Sequence, residues 1–478
     1  MRRTTISNLR QFLLALLFPA VAIATGLQSC NDEGPGIPAE ENGSAKSSGN
    51  PLMRSPEEAI DIAQRAYEEF YGDATPSSRG RSIIDCSRPV EVVRGARSRG
   101  GSSDTLLYIV NFVDDQGFAV IAAPRAADEL LAVTSQGHYY PESDPEAGSV
   151  PGFDLWMEAA GDYAASIQFP SLGDSIKLPK DTFVIVKGDT LLPPVNPGGG
   201  TSIIFDSTKI VNPDEPGLLQ HKEWEDTVQN YISGPKITVT WGQGNALPLN
   251  INAYPEGYYF ENGWAGCATA AIAQVCAYYE SPTSINKTPL LGATPYPLNW
   301  AKLRTHRKKH SLVSVGECED DMETHMMIAE FYRIIAVWTD AHPHGETGTG
   351  TLTSNVLPML RSILPERNIF EWKDLKFAVT PLSNELFVME GKSETSGHIW
   401  LCDGFKRLVV DHYFASRTNS YADWEIQSVE RFTQNFLHYN WGWYGRYDGW
   451  YNNAVSVIIY KYDGTRSYYQ SLKYARIQ

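Results

Sequence analysis

The chain has 478 residues, room for two or three domains with ample core, and a formal charge of −16 from 56 acidic and 40 basic side chains. That balance excludes nucleic acid as a partner, because neutralising phosphates takes clustered Lys and Arg. The cysteines form no C-x-x-C pair, which excludes a thioredoxin-like site or a zinc knuckle, and no cofactor is called for.

In chain order, Arg2, Arg3 and Arg10 precede an apolar run from Phe12 to Leu27 that Pro19 and Gly26 interrupt. This is the pattern of an export signal, too short and broken for a membrane span. It ends in Leu27-Gln28-Ser29-Cys30, which resembles a bacterial lipobox and implies cleavage before Cys30 and lipid attachment to its sulfur. The expected location is the cell envelope, held to a membrane by the acyl chains. The other reading of residues 1–30 is an ordinary signal peptide with an incidental cysteine. Residues 31–54 are rich in Gly, Ser, Pro and Glu and read as a tether.

Ser55-Pro56-Glu57-Glu58 is a helix start, with Ser as N-cap, Pro at the first position and Glu at the third. Ile60, Ala63, Ala66, Tyr67 and Phe70 follow at helical spacing and predict a buried face. Leu106 to Phe112 and Phe118 to Ala123 read as strands joined by the turn Asp114-Asp115-Gln116-Gly117, and Leu130 to Thr134 as a third. Residues 55–188 are thus expected to form a small α+β domain that carries no chemistry. Residues 189–235, with Pro193-Pro194 and Gly198-Gly199-Gly200, read as a poorly packed, accessible linker. From Lys236 the character changes: Ile237 to Trp241 is strand-like, and 236–478 is expected to be a packed domain holding most of the 12 Trp and 25 Tyr.

The chemistry sits in that domain. Gly263-Trp264-Ala265-Gly266-Cys267 runs into the small-residue stretch Ala268-Thr269-Ala270-Ala271-Ile272-Ala273-Gln274, predicted to be a helix with Cys267 in its first turn. A thiol there lies near unpaired amides and the positive end of the helix dipole, which favour thiolate. Cys276 and Cys402 read instead as small core residues. Cys86 and Cys318 complete an odd set that makes a poor disulfide framework. His398, between Gly397 and an apolar strand, is the histidine best placed to act as base. His342 and His344 are a rival metal pair without a third ligand, and His438 reads as structural. In Asn440-Trp441-Gly442-Trp443 an amide and an indole can support an imidazole. Gln243, after Trp241-Gly242, is of the right type to donate to an oxyanion. A cysteine whose base follows about 130–150 residues later is the order of papain-like proteases.

Four pieces, Trp241-Gly242-Gln243, Gly266-Cys267-Ala268-Thr269-Ala270, Gly397-His398 with Asp403-Gly404, and Asn440-Trp441-Gly442-Trp443, resemble the streptopain family of cysteine peptidases in one order. Asn299-Trp300 resembles a further segment of that family. Residues 108–112 and 117–123 resemble its inhibitory prodomain. The resemblance implies an α+β, papain-like fold behind a small α+β prodomain that covers the site until it is cut away, with the cut in 189–235. It also implies Cys267 as nucleophile, His398 as base, Gln243 as oxyanion donor, and Asn440 or Trp441 as support for the histidine. Its implied partners are protein or peptide substrates and the chain's own prodomain. The sequence departs from the family where Tyr444 replaces the first glycine of a closing pair and where Ile399-Trp400 replaces smaller residues. Both changes are expected to add bulk at the cleft rim. The stretch from His342 to Thr353 is expected to lie over the cleft as a loop. Two alternatives stay open: an inactive surface binding or inhibitory protein on the same fold, and a cell-wall amidase.

Overall fold

A computed structural model describes residues 52–72, 90–93, 105–139, 150–168, 220–244, 255–286, 295–305, 319–344, 348–374, 385–392, 397–417, 423–458 and 471–478. The expected signal segment with Cys30, the expected tether up to Pro51, Cys86, Cys318, Tyr140 and residues 189–219 of the expected linker lie outside the described residues.

The first helix, α1 (Pro56–Tyr71), begins where its sequence says. The Ser55 hydroxyl accepts from the Glu58 amide, and the Glu58 carboxylate accepts from the Ser55 amide at 2.8 Å. Its buried face is Ala59, Ile62, Ala63, Ala66 and Tyr67, while Ile60 and Phe70 are only partly covered. The predicted strands appear as β2 (Thr105–Asn111), β3 (Phe118–Ala122) and β4 (Leu130–Thr134), preceded by β1 (Val90–Val93). A second helix, α2 (Pro151–Gln168), follows. The sequence reading missed it, although Phe153, Trp156, Ala160 and Ala164 recur at helical spacing and are fully buried.

Two segments differ from expectation at the edges of this layer. Residues 220–233 of the expected linker form β5 (Gln220–Ser233), paired antiparallel to a later strand along its length. The mostly polar composition there, without period-two alternation, hid a strand that pairs on one edge and faces solvent broadly. In the expected tether, Arg54 is fixed, its guanidinium donating to the Ala122, Pro124, Arg125 and Ala127 carbonyls.

The C-terminal region contributes helices α3 (Cys267–Tyr279), α4 (Trp300–Thr305), α5 (Glu319–Thr339), α6 (Thr353–Ile363) and α7 (Asn453–Ile458). Short strands β6 (Ser284–Asn286) and β7 (Pro295–Pro297) pair with each other, as do β8 (His342–His344) and β9 (Gly348–Gly350). The main strands are β10 (Lys373–Asp374), β11 (Leu386–Lys392), β12 (Gly397–Arg417), β13 (Glu425–Asn440), β14 (Gly449–Asn452) and β15 (Ser471–Ile477). Ile237 to Trp241, predicted as a strand, joins no ladder among the described residues; the Asp403 carboxylate takes the Lys236 and Ile237 amides instead.

One sheet spans both regions in the order β1-β2-β3-β4-β14-β13-β12-β11-β15-β10, with β5 alongside β12. The regions join where Ala132, Val133 and Thr134 pair with Tyr451, Trp450 and Gly449. Because side chains alternate along a strand, each face has its own cover. Ile399 and Leu401 of β12 face the cluster of α3, α5 and α6, whereas Trp400 and Cys402 face α2. Helix α1 packs on Phe436 and Trp450 of the C-terminal region. The architecture is therefore mixed helix and antiparallel sheet, as the α+β expectation requires.

The α1 contact has a polar centre. Lys406 on β12 is 1% exposed, and its ammonium reaches the Glu69 carboxylate at 2.7 Å and the Glu69 carbonyl at 3.2 Å. It also sits 4.0 Å from the Phe70 ring centroid. Asn230 of β5 donates to the same carboxylate. A buried ammonium needs such partners, since losing one strands a charge away from water.

Candidate active site

Helix α3 is alanine-rich and buried from Ala268 to Ala277, as a central helix must be. It starts after Gly266, which has φ +85°; a Cβ there would lie 2.4 Å from the Thr349 carbonyl oxygen. Only glycine lets β9 lie so close to the approach to Cys267. Thr349 also donates to the Trp264 carbonyl at 2.6 Å, and Asn262 to the Gly348 carbonyl. The expected loop from His342 to Thr353 is thus, in its described parts, a hairpin running into α6 and fastened beside Cys267. The exposed His342 pairs with Asp340.

Gln243 lies alongside. Its carbonyl accepts the Ala265 and Gly266 amides, and the Gln274 side chain of α3 ties down the neighbouring Trp241 carbonyl at 2.7 Å. The Gln243 side chain is 7% exposed, and its Nε2 is buried without a hydrogen-bond partner. A buried donor in that state costs roughly 1–3 kcal/mol, so something holds it there. Behind it, the Glu256 carboxylate accepts the Gly242 amide, and burial raises its pKa to about 7.

The histidine side is arranged differently. The Cys267 sulfur accepts from the Ile399 amide at 3.4 Å, so the start of β12 lies against the thiol. The His398 imidazole is 3% exposed and its Nε2 contacts the Trp441 carbonyl at 3.3 Å. It stacks on Trp400, and on the same side lies α2: a Cβ on Gly152 would meet His398 Cδ2 at 2.5 Å and Trp441 at 2.7 Å. No hydrogen bond joins Cys267 and His398 among the described residues. Burial lowers the His398 pKa to about 4, with the Trp441 carbonyl opposing the shift. Burial also pushes the Cys267 thiol up, more than the Ile399 and Ala268 amides and its own pull it down. The amides at the helix start favour thiolate, as expected from the sequence, but in this arrangement burial opposes them and is the larger effect.

The support for His398 is Trp441, through its carbonyl. Its indole donates to the Tyr451 hydroxyl at 3.0 Å and its amide to Asp448 at 2.9 Å. Burial raises the Asp448 pKa to about 7. Asn440 pairs with Leu401 on the strand that carries His398, and its side-chain oxygen accepts the Gly442 amide and shapes its own loop. Ile399 and Trp400, expected at the rim, are 5% and 3% exposed and belong to the core on opposite faces of β12. His438 pairs with the buried Asp403 carboxylate at 2.6 Å, and Cys276 and Cys402 are free and buried. Burial pushes both of those thiols up. The sequence reading missed Gly152 and Asp448; the Asp-Gly pair after the tryptophan loop was the visible signal for the second.

Residues 241–451 match the family model described as the Peptidase C10 family. No curated protein sequence matches the chain. A solved fragment of Prevotella intermedia prointerpain A, 14% identical, is similar over 82% of this chain and 98% of its own length, with a TM-score of 0.43. The matched span contains Cys267, His398, Gln243, Asn440 and Trp441. Over those residues the chain is similar to the Peptidase C10 family, the streptopain family of peptidases.

Proposed function

We propose that the chain is an exported, lipid-anchored cysteine endopeptidase made as a zymogen, with residues 55–188 as its inhibitory prodomain. The observation that carries the reading is the pairing of Cys267 at the start of a buried helix with the idle, buried amide of Gln243 beside it. Once α2 leaves, His398 turns from the Trp441 carbonyl toward Cys267 and takes its proton. The thiolate attacks a peptide carbonyl carbon, and the oxyanion forms against Gln243 Nε2–H and the Cys267 amide; losing one such donor costs about 10²–10³ in rate. The C–N bond then breaks, and the amine leaves with the proton from His398. Water attacks the thioester, His398 accepts its proton, and the C–S bond breaks. Cys30 supplies the anchor, and protein substrates follow from the peptidase family.

The prodomain reading draws on Gly152 against His398, on the strand junction β4–β14, and on Glu69 against Lys406. The test compares the full chain with Cys267→Ala for self-cleavage, casein hydrolysis and labelling by a thiol-reactive epoxide. Wild type is expected to process, hydrolyse and label, and Cys267→Ala to do none of these. Equal inertness of both would favour the binding-protein alternative.

A further inference from the structure

We propose that Tyr444 is a positioning residue for the oxyanion donor, and that it acts through the backbone on either side of Gln243. The sequence singled it out as a bulky residue in a glycine pattern, and the expected role was a wall at the cleft rim. Its contacts point elsewhere. The Tyr444 hydroxyl donates to the Gly244 carbonyl at 2.9 Å and accepts the Gly244 amide at 3.0 Å. Its ring lies on Gly242, where a Cβ would come within 2.5 to 2.8 Å of three ring carbons. One side chain therefore grips both neighbours of Gln243.

Two further observations give the grip a purpose. Tyr444 has φ +60°, a left-handed conformation that a bulky residue adopts only when its surroundings impose it. The surroundings here are the contacts to residues 242 and 244. Second, Gln243 Nε2 is buried and unpartnered although its backbone carbonyl is fully used. A loose loop would let that amide turn and satisfy itself. A clamped loop keeps it idle until an oxyanion arrives, which is what preorganised stabilisation requires. Tyr444 also lies in the loop that starts at Trp441, whose carbonyl holds His398, and the neighbouring Trp443 packs on Trp264 just before Cys267. The clamp thus ties the histidine side of the site to the oxyanion side.

This inference rests on the peptidase reading. The experiment measures kcat and KM on a fluorogenic peptide, after cleavage of each protein by an added protease that is then removed, for wild type, Cys267→Ala, Gln243→Ala, Tyr444→Phe and the Gln243→Ala/Tyr444→Phe double variant. Phenylalanine keeps the ring and loses only the hydroxyl, and an unchanged thermal midpoint certifies the fold. Tyr444→Phe is expected to lower kcat by about tenfold to a hundredfold with KM within about twofold, the mark of a misplaced catalytic group. In the Gln243→Ala background the same change is expected to alter kcat by less than about twofold, because the two act as a unit. A rise in KM with kcat intact would make Tyr444 a subsite wall and overturn the proposal. An unchanged kcat, or an equal fall in both backgrounds, would overturn it as well. Activity in Cys267→Ala equal to wild type would defeat the peptidase reading first, and this role with it.

Discussion

The two sides of the candidate site are built by different parts of the molecule. On the cysteine side, α3, the Gln243 loop and the β8–β9 hairpin all belong to the C-terminal region, and the contacts that position them, those of Tyr444 included, come from that region. On the histidine side, β12 presents His398 to the opposite face of the sheet, where Trp400, Trp441 and Gly152 of α2 enclose it. In the proposed reading, the C-terminal region preassembles nucleophile and oxyanion donor, while the N-terminal layer holds the imidazole away from the thiol. The difference teaches how a peptidase can be folded and silent at once: only one of its two halves has to be withheld.

The largest effect is expected at Gly152. Valine there would drive its side chain into His398 and Trp441, overpacking that costs about 1–3 kcal/mol and acts only through the N-terminal layer. Gly152→Val should raise epoxide labelling of Cys267 in the full-length chain roughly fivefold to 150-fold, the ratio set by that energy. No change would detach the histidine from α2 and break the contrast between the two sides.

The Glu69–Lys406 pair comes next. Glu69 is 38% exposed, so solvent screens part of its contribution, whereas Lys406 is buried. Glu69→Lys should speed labelling and self-processing by roughly fivefold to tenfold, and the exchange Glu69→Lys/Lys406→Glu should restore most of the restraint. Failure of the exchange to restore it would mean that α1 is held by Phe70 and its apolar face alone.

Local signals were legible where the chemistry is local. The capping box at Ser55, the β2–β3 hairpin, and the small-residue run after Cys267 each state their own structure. What stayed hidden depends on partners distant in sequence. Strand β5 exists because β12 extends to Arg417 and offers it an edge, which no composition of residues 220–233 announces. The side of β12 on which His398 falls is set by the register between β11, β12 and β13, and the thiol and imidazole pKa shifts are set by burial. Tyr444 was visible as an exception to a glycine pattern, but its target on Gly244 lies two hundred residues away in the chain.

The most direct measurement is the pH dependence of Cys267 alkylation by iodoacetamide, followed by mass spectrometry on the full-length species and on the processed protein. In the full-length chain, burial holds the thiol above its ordinary range and keeps His398 neutral down to about pH 4. Its alkylation should therefore rise only at alkaline pH. After processing, an imidazolium beside the sulfur should lower the thiol pKa, giving fast alkylation that extends well below neutrality. A full-length chain that already alkylates rapidly at acidic pH would contradict the account, because thiolate and imidazolium would then be paired beneath the N-terminal layer.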